Sequence, residues 1–251
     1  MVHTRSTKEI EKIAASCQIV ADTLIMLKPH IVEGVCVSDL DTMAEEYILS
    51  RGARPAFKGY MGFPSTLCIS IENAVVHGIP KKNILKTGQI VGIDCGAELD
   101  GYYGDHAISF PVGKIDSEKQ KLIDVTRESL FKGIDQAIPG NRVGDIGNAV
   151  QKHAESNGFS VVRELVGHGI GTHLHEDPQI PNYGNASQGY MLHSGMCIAI
   201  EPMINAGSKD VITSSDGWTI LTKDGAPSAH FEHTIAITDN GPKILSVGSN
   251  A

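Results

Sequence analysis

The sequence lacks a long hydrophobic run and lacks an excess of positive charge. No stretch of apolar residues approaches the roughly 20 positions that a membrane-spanning helix requires. The 29 acidic residues outnumber the 21 basic residues, and the formal net charge is -8. This balance argues against a broad nucleic-acid-binding surface, although a local basic patch stays compatible with it.

The chain is also poor in cysteine, and its start lacks the pattern of a secretory signal peptide. In MVHTRSTKEIEKIAASCQIV the charges continue through Glu11 and Lys12, and no long apolar segment follows. The five cysteines are odd in number, far apart and set among apolar residues: Cys17, Cys36, Cys68, Cys95 and Cys197. We therefore expect reduced, mostly buried thiols and a cytoplasmic protein.

Chain length and composition are those of a globular protein. With 251 residues, 41% of them hydrophobic and 20% charged, the chain can bury a sizeable core as one large domain or two ordinary ones. Ser6 and Glu9 form a capping box that predicts the start of a first helix, which Pro29 ends. A second helix is predicted from about Ser38, with Gly52 as its stop.

An internal regularity links two segments at an offset of 106 residues. The segment GVCVSDLDTMAEEYILSRG, residues 34–52, aligns with GNRVGDIGNAVQKHAESNG, residues 140–158. Glycines match at both ends, and Asp39 matches Asp145. The match favours two similar α+β halves. The alternative is that helix caps and helical periodicity look alike anywhere.

We expect these halves, roughly residues 6–112 and 113–247, to share one core. Because no low-complexity linker separates them, they are predicted to form a single domain over residues 1–251. The cleft between two such halves is the natural place for a functional site.

Asp94 and Asp105 lie on two strand-like runs joined by Asp100-Gly101, a pair typical of a two-residue hairpin turn. In that register Asp94 faces Ala107, and Asp105 lies two residues further along the same face, since side chains alternate. The two residues would be roughly 7–8 Å apart at Cα, within reach of one cation. A bulge would put them on opposite faces, and a solvent-facing pair beside a polar turn is the plainer alternative.

Two glutamates and a histidine extend this set. Glu201 and Glu232 stand within or beside apolar, strand-like runs, where an ionised carboxylate costs several kcal/mol unless another charge offsets it. His168 belongs to ELVGHGIGTHLHEDPQ, residues 164–179, which gathers three histidines in a glycine-rich stretch. Converging carboxylates repel one another unless multivalent cations neutralise them, so the pattern predicts a divalent metal site.

The donor atoms of this predicted site are mostly oxygens, with one imidazole nitrogen and no thiolate. Such a set suits Mn, Fe, Co or Zn as divalent ions and does not suit a structural zinc site. Two ions about 3.5–4 Å apart that share carboxylates could hold a hydroxide nucleophile, as in two-metal hydrolases.

Six motifs, in their order and spacing, resemble those of the type I methionine aminopeptidases in their short bacterial form. They are GYMGFPSTLCISIENAVVHGIP, GIDCGAELDGYYGD, VGHGIG, LHEDPQIPNY, IEPMINAG and DGWTILTKDGAPSAHFEHTIAITDNG. The resemblance covers essentially the whole chain. It implies the pita-bread fold, an α+β architecture of two pseudo-symmetric halves with antiparallel sheet inside and helices outside.

The resemblance also implies roles for individual residues. Five match the ligands of two divalent ions: Asp94, Asp105, His168, Glu201 and Glu232. Of these, Asp105 and Glu232 match the ligands that bridge the two ions. His77 and His175 match histidines that contact the scissile amide, and Glu201 matches the residue that moves the proton. Five more match the methionine pocket: Tyr60, Phe63, Cys68, Leu174 and Trp218. A buried strand cysteine is a nearly equal interpretation for Cys68, and Trp218 also suits a plain core position.

The activity implied by the resemblance is hydrolysis of the N-terminal methionine from nascent polypeptides that have a small second residue. A hydroxide that bridges two divalent ions (Mn, Fe, Co or Zn) would attack the first peptide carbonyl. The implied partners are polypeptide N-termini, with contact to the ribosome left open, and neither DNA nor a membrane. The implied enzyme is a cytoplasmic monomer.

Two residues depart from the family's pattern, and two other functions stay open. Relatives often carry a histidine in place of Met61 and a threonine in place of His106, which puts the tuning of metal preference or rate in doubt. A proline-specific peptidase of the same fold usually has an additional N-terminal domain. A non-catalytic pita-bread protein that binds RNA or other proteins typically lacks some ligands and carries basic extensions.

The other histidines are interpreted as structural. This set comprises His3, His30, His153, His193 and His230. We expect His173 to face solvent or a structural partner, and His233 to point away from the site if its strand is regular. Glu176 and Asp177 are assigned to the turn that follows the histidine-rich stretch.

Overall fold

Four α-helices pack on antiparallel sheets in the computed structural model, which describes residues 2–249. They are α1 (Thr7–Leu27), α2 (Val37–Ser50), α3 (Ser117–Ile134) and α4 (Val143–Ser156), with 3-10 helices at Lys28–His30 and Tyr60–Gly62. None of the helices within residues 2–249 has the length and hydropathy needed to cross a membrane.

The strands build two sheets that matter for the site. Five strands precede α3: β1 (Arg54–Pro55), β2 (Leu67–Ile71), β3 (Ala74–Val76), β4 (Ile90–Leu99) and β5 (Tyr102–Pro111). Ten follow α4: β6 (Ser160–Val161), β7 (Gly167–Gly169), β8 (Glu176–Ile180), β9 (Cys197–Ile200), β10 (Met203–Asn205), β11 (Val211–Thr213), β12 (Ile220–Thr222), β13 (Ser228–His230), β14 (His233–Thr238) and β15 (Gly241–Ile244). In the first sheet β4 pairs with β1, β2 and β5, and the second sheet has the order β15-β14-β9-β7-β8.

The first helix begins where the capping box predicts. The backbone N–H of Ser6 donates to the Glu9 carboxylate at 2.9 Å, and the backbone N–H of Glu9 donates to the Ser6 hydroxyl at 3.4 Å. These bonds satisfy donors that a helix start otherwise leaves unpaired. The helix ends at Leu27, and Pro29 lies in the 3-10 turn that follows. The second helix begins at Val37, one residue before the predicted position.

The hairpin of β4 and β5 has the predicted register. Asp100 and Gly101 form its turn with φ angles of 51° and 81°, the left-handed values that an Asp-Gly turn accommodates. Asp94 pairs with Ala107, and Asp105 pairs with Gly96. Since side chains alternate along a strand, the two aspartates share one face of the hairpin. The alternative of a bulge that separates them is therefore wrong.

Strand β5 also contacts the second sheet, along a seam formed by residues 105–109 and 230–234. The backbone N–H of Glu232 donates to the carbonyl oxygen of Ala107 at 2.9 Å. The Thr234 hydroxyl donates to the carbonyl oxygen of Asp105 at 2.8 Å. The Ser109 hydroxyl donates to the carbonyl oxygen of His230 at 3.0 Å. The seam therefore joins the aspartate-bearing hairpin to the segment that carries Glu232.

Several elements recur at the offset seen in the sequence. Helices α2 and α4 each have 14 residues and begin at Val37 and Val143. Gly34 and Gly140, which precede them, have φ angles of 88° and 92°. These left-handed turns explain why the sequence repeats glycine there. The correspondence supports two similar halves, while their boundaries and the single domain stay a prediction.

Apolar side chains form a buried cluster in each half, and a third buried cluster combines residues of both halves. Leu24, Leu40 and Ile93 belong to a buried cluster of the first half, and Leu122 and Ile146 belong to one in the second half. All five cysteines are free. Cys36, in the turn before α2, is partly exposed, and the other four are buried: Cys17, Cys68, Cys95 and Cys197. Four of the thiols thus serve as small apolar groups of the interior.

The contact between α1 and β5 generates a stability prediction. A Cβ atom at Gly104 would lie 2.4 Å from the backbone nitrogen of Cys17, so Gly104→Ala must push the helix away from the strand. We expect a loss of about 1–3 kcal/mol in the free energy of unfolding, measured by urea denaturation. Gly92→Ala on the same hairpin is the control, because its Cβ would meet the Ser109 hydroxyl at an ordinary 3.5 Å. Equal effects of the two substitutions would contradict the prediction.

Candidate metal centre

The predicted ligand residues lie on the β4–β5 hairpin, on β7, at the end of β9 and at the start of β14. Asp94 and Asp105 share one face of the β4–β5 hairpin. His168 is the central residue of β7 and pairs with Ala199 of β9. Glu201 directly follows β9, and Glu232 directly precedes β14, which pairs with β9. Because β7, β9 and β14 are neighbours in one sheet, their functional side chains converge opposite the hairpin.

The distances between these side chains are short. The Nε2 atom of His168 lies 3.5 Å from a carboxylate oxygen of Glu201 and 3.9 Å from one of Asp105. Asp105, His168 and Glu232 each offer a ligand atom within 4.8 Å of the others. Asp105 and Glu232 are buried, with 4% and 2% of their surface exposed. Carboxylates this close and this dry repel one another strongly.

The repulsion is reflected in the pKa values of the carboxyl groups. Loss of hydration raises the pKa of Asp94 to about 7. Burial also raises the pKa of Asp105 well above its usual range, and the neighbouring Glu232 and Asp94 raise it further. Burial first, and nearby carboxylates second, raise the pKa values of Glu201 and Glu232. The four groups therefore resist simultaneous ionisation unless positive charge enters the site.

A divalent metal ion fits this donor set. Within residues 2–249, one carboxylate oxygen each of Asp94, Asp105 and Glu232 is buried without a hydrogen-bond partner. Buried polar atoms are normally paired, so three unpaired acceptors in one place call for a cation. The Nδ1 atom of His168 is hydrogen-bonded to the carbonyl oxygen of Gly169 at 2.9 Å. With Nδ1 as the donor, the lone pair of Nε2 faces the carboxylates, as a metal ligand requires.

The carboxylates form the base of a cavity of about 160 Å³. The structure brings every residue of the predicted substrate pocket to its wall, together with both predicted histidines: Tyr60, Phe63, Cys68, His77, Leu174, His175 and Trp218. Phe63 and Trp218 meet edge to face, with ring centroids 5.2 Å apart. Phe63, Cys68 and Leu174 are buried, so this part of the wall is dry and apolar. Such a wall can accommodate an unbranched hydrophobic side chain.

The two predicted histidines line the same cavity as the carboxylates. His175 shares a hydrogen bond of 2.9 Å between its Nδ1 atom and the Tyr60 hydroxyl, and its ring packs edge-on against His168 with centroids 4.3 Å apart. His77 has a φ angle of 58°, which is uncommon for a residue with a side chain. Strained backbone of this kind concentrates at functional sites. Burial lowers the pKa of His77, so its imidazole is neutral at neutral pH.

Sequence reasoning missed His230, which was interpreted as structural. Its side chain is buried, and its Nε2 atom lies 3.8 Å from a carboxylate oxygen of Glu201, without a hydrogen-bond partner in residues 2–249. A structural role for His230 stays a prediction, but its side chain borders Glu201, which the sequence interpretation did not anticipate. The available signal was its position two residues before Glu232, which puts both side chains on one face of an extended chain. Asn182 was also missed; its side-chain amide donates to the carbonyl oxygen of Glu201 at 3.0 Å.

The histidine-rich stretch differs in part from its interpretation. His173 is exposed, as expected. The assignment of Glu176 and Asp177 to a turn is wrong, because β8 begins at Glu176. His233 points away from the centre, as expected: its Nδ1 atom lies 2.7 Å from the Ser246 hydroxyl.

The two departures from the family's pattern occupy different places. Met61 has 83% of its surface exposed at the rim of the cavity, with a φ angle of 50°. His106 is buried behind the hairpin, where its ring stacks on His233 with centroids 4.5 Å apart. Its Nδ1 atom is hydrogen-bonded to the carbonyl oxygen of Glu232. His106 therefore supports the backbone of Glu232 and does not face the cavity.

Comparison with known proteins shows a consistent likeness. A model of metallopeptidase family M24 matches residues 11–239. Methionine aminopeptidase 1 of Bacillus subtilis is 50% identical over 246 residues, which cover 98% of this chain and 99% of that protein. The crystal structure of methionine aminopeptidase from Thermotoga maritima has a TM-score of 0.97 at 45% identity and covers 98% of this chain and 100% of its own. Prolidase from Pyrococcus furiosus is more distant, with a TM-score of 0.77 at 25% identity over 97% of this chain and 65% of its own. These neighbours confirm the α+β pita-bread fold.

The raised pKa of Asp94 generates a prediction for metal-depleted protein. Since the folded pKa is about 7 against an ordinary 3.8, the folded protein retains a proton that the unfolded chain releases. The resulting stability is fully present below the unfolded pKa and is lost as the pH rises through the folded pKa. We expect the free energy of unfolding, relative to Asp94→Asn, to decline between about pH 4 and pH 7 by at most about 1.4 kcal/mol per pH unit and to level off above that range.

Urea denaturation in the presence of a chelator measures this difference. The buried histidines are common to both proteins, so their titration cancels. A difference that stays level or rises with pH would contradict the prediction. Added Mn2+ should reverse the trend, since an ion that binds only the folded state stabilises it, and it binds the ionised carboxylates of the native protein best.

Proposed function

The chain belongs to metallopeptidase family M24, and we propose how its metal centre removes the N-terminal methionine from polypeptides. The resemblance to type I methionine aminopeptidases is confirmed by full-length relatives at about 50% identity, and the protein is a metal-dependent methionyl aminopeptidase. One observation carries the proposal for its site: four carboxylates, three with an unpaired buried oxygen, lie at the base of an apolar cavity.

We assign the metal ligands to the residues that converge at the base of the cavity. Two divalent ions would be held by Asp94, Asp105, His168, Glu201 and Glu232. Asp105 and Glu232 are proposed as the shared ligands, which is supported by their burial and their proximity to His168. When bound, such ions lower the pKa of a water molecule and polarise a peptide carbonyl group. Mn, Fe, Co and Zn all suit this set of oxygen and nitrogen donors.

The walls of the cavity account for recognition of methionine. Phe63, Leu174 and Trp218 supply apolar surface, and Cys68 adds a buried thiol at the side. Met side chains pack favourably against aromatic rings, which supports a role for the edge-to-face pair of Phe63 and Trp218. The carboxylates line the same cavity, so the free amino group of an N-terminal methionine would meet negative charge while its side chain meets the apolar wall, as an exopeptidase requires.

The histidines and Glu201 are proposed to act on the scissile amide. The Nδ1 atom of His175 is engaged by Tyr60, which leaves Nε2 to contact the carbonyl oxygen as negative charge develops there. His77, neutral and on the same cavity wall, would hydrogen-bond the amide nitrogen. Glu201, whose carboxylate lines the same cavity and lies 3.5 Å from the Nε2 atom of His168, would take a proton from water and pass it to the leaving nitrogen.

The substrates proposed are nascent polypeptides with a small second residue, processed in the cytoplasm by a monomeric enzyme in reach of the ribosome. The relatives that support this inference are methionine aminopeptidases over their full length. Prolidase of Pyrococcus furiosus, by contrast, is matched over 65% of its length only. The comparison therefore favours methionine release over cleavage before proline.

A peptide assay tests the proposed function. Purified protein with Mn2+ or Co2+ should release methionine from Met-Gly-Met and Met-Ala peptides, and a chelator should abolish the release. Glu232→Gln should lower the turnover on the order of 100- to 1,000-fold, because it removes a charge from the shared ligands. Cleavage of Xaa-Pro peptides in place of these would support a proline-specific enzyme, and failure to bind any divalent ion in calorimetry would support a non-catalytic binding protein.

The aromatic pair generates a prediction for substrate affinity. Phe63→Ala removes a buried ring from the methionine pocket, so KM for methionyl peptides should rise on the order of tenfold or more, with a smaller change in kcat. Steady-state kinetics measure both constants. Tyr190→Ala, at an aromatic residue that is 43% exposed and outside the cavity, is the control. An unchanged KM in Phe63→Ala would exclude Phe63 from the pocket.

A further inference from the structure

Residues 2–6, which precede α1, form an arm that contacts the second half of the molecule. Arg5 in this arm contacts the loop that carries His175. The backbone N–H of Arg5 donates to the carbonyl oxygen of Gly195 at 2.8 Å. Its guanidinium donates from one nitrogen to both carboxylate oxygens of Glu176, at 2.7 and 2.5 Å. Both side chains are 7% exposed. Charge-assisted bonds in such a dry place are strong and geometrically specific.

Glu176 in turn closes the loop formed by residues 171–176. Its carboxylate accepts the backbone N–H groups of Thr172 and His173 at 2.8 and 3.0 Å. It also accepts the hydroxyl of Thr172 at 3.2 Å. One carboxylate thus ties the first residues of the loop to its last residue. Leu174 and His175, which line the substrate cavity, lie between these anchored points.

Two glycines make room for the arm. A Cβ atom at Gly171 would lie 2.4 Å from the guanidinium of Arg5, and a Cβ atom at Gly195 would lie 3.0 Å from its carbonyl oxygen. The backbone on both sides of the arm is therefore shaped for close contact with Arg5. On its other side the loop is fixed to β5, since the backbone N–H of Tyr103 donates to the carbonyl oxygen of Gly171 at 2.8 Å.

We propose that Arg5 is a positioning residue for the reaction: through the carboxylate of Glu176 it fixes the 171–176 loop and thereby directs His175 over the metal centre. The inference rests on the proposed function of His175. The side chain of His175 has a partner in the first half of the molecule, the Tyr60 hydroxyl. The arm supplies the complementary restraint on its backbone. The residues before α1 are therefore part of the machinery that orients the scissile amide.

Kinetics of Arg5 variants test the inference. Arg5→Ala leaves the Glu176 carboxylate without its cation, so the loop loses its restraint and kcat for methionyl peptides should fall on the order of 10- to 100-fold. Arg5→Lys should recover part of the loss, because it keeps the charge but presents an ammonium in place of the planar guanidinium. Arg127→Ala is the control, because it removes an arginine from an exposed ion pair with Asp124 on α3. Its kcat should equal that of the native protein. An unchanged kcat in Arg5→Ala would overturn the proposal.

A double-mutant cycle distinguishes positioning of His175 from a general loss of structure. If Arg5 acts through His175, adding Arg5→Ala to His175→Ala should lower kcat by less than about twofold further. The same fold-loss in both backgrounds would overturn the inference. Affinity for Mn2+, measured by calorimetry, should be nearly the same in the native protein and in Arg5→Lys, because the hydrogen bonds of the Arg5 guanidinium go to Glu176, which is not a proposed metal ligand.

A spectroscopic measurement tests the contact independently of activity. In NMR spectra of protein with 15N-labelled histidine, Arg5→Lys and Glu176→Gln should shift the ring signals of His175 and leave those of His153 on α4 unchanged. Either variant serves if Arg5→Ala does not fold. Unshifted His175 signals in both would overturn the proposal. Native protein that released no methionine would instead refute the proposed function, while the NMR result would still decide whether the arm orients the loop.

Discussion

Backbone hydrogen bonds along the seam between β5 and residues 230–234 determine where the carboxylates meet. Ala107 accepts the backbone N–H of Glu232, and Asp105 accepts the hydroxyl of Thr234. These bonds set one register between two sheets that belong to different halves of the chain. A slip of one residue would turn Glu232 away from Asp105, since alternate side chains point to opposite faces. The metal centre therefore depends on uncharged backbone and hydroxyl groups as well as on its carboxylates.

The seam brings together groups that repel one another, and this repulsion is the basis of the chemistry. Burial and neighbouring carboxylates raise the pKa values of Asp105, Glu201 and Glu232, so the site has a strong preference for divalent cations. The wall beside the carboxylates is apolar instead of charged. There the edge-to-face pair of Phe63 and Trp218 favours a hydrophobic side chain over water. A peptide with an N-terminal methionine satisfies both environments at once.

Residues outside the cavity restrain those within it. His106 supports the backbone of Glu232, and Asn182 supports that of Glu201. Arg5 and Glu176 do the same for the loop that carries His175. Such supporting contacts usually determine how well a site is preorganised. The departure from the family's pattern at His106 thus concerns the support of a ligand and leaves the donor set intact.

The sequence by itself determined the local features of this protein. The capping box at Ser6, the Asp-Gly turn and the shared face of Asp94 and Asp105 follow from hydrogen bonds and side-chain alternation between near neighbours. The family motifs supplied the ligand residues, and relatives confirm the family. Only the tertiary structure revealed that His230 borders Glu201 and that Arg5 pairs with Glu176, 171 residues away. Such contacts depend on the packing of distant segments, and no local periodicity encodes which segments will meet.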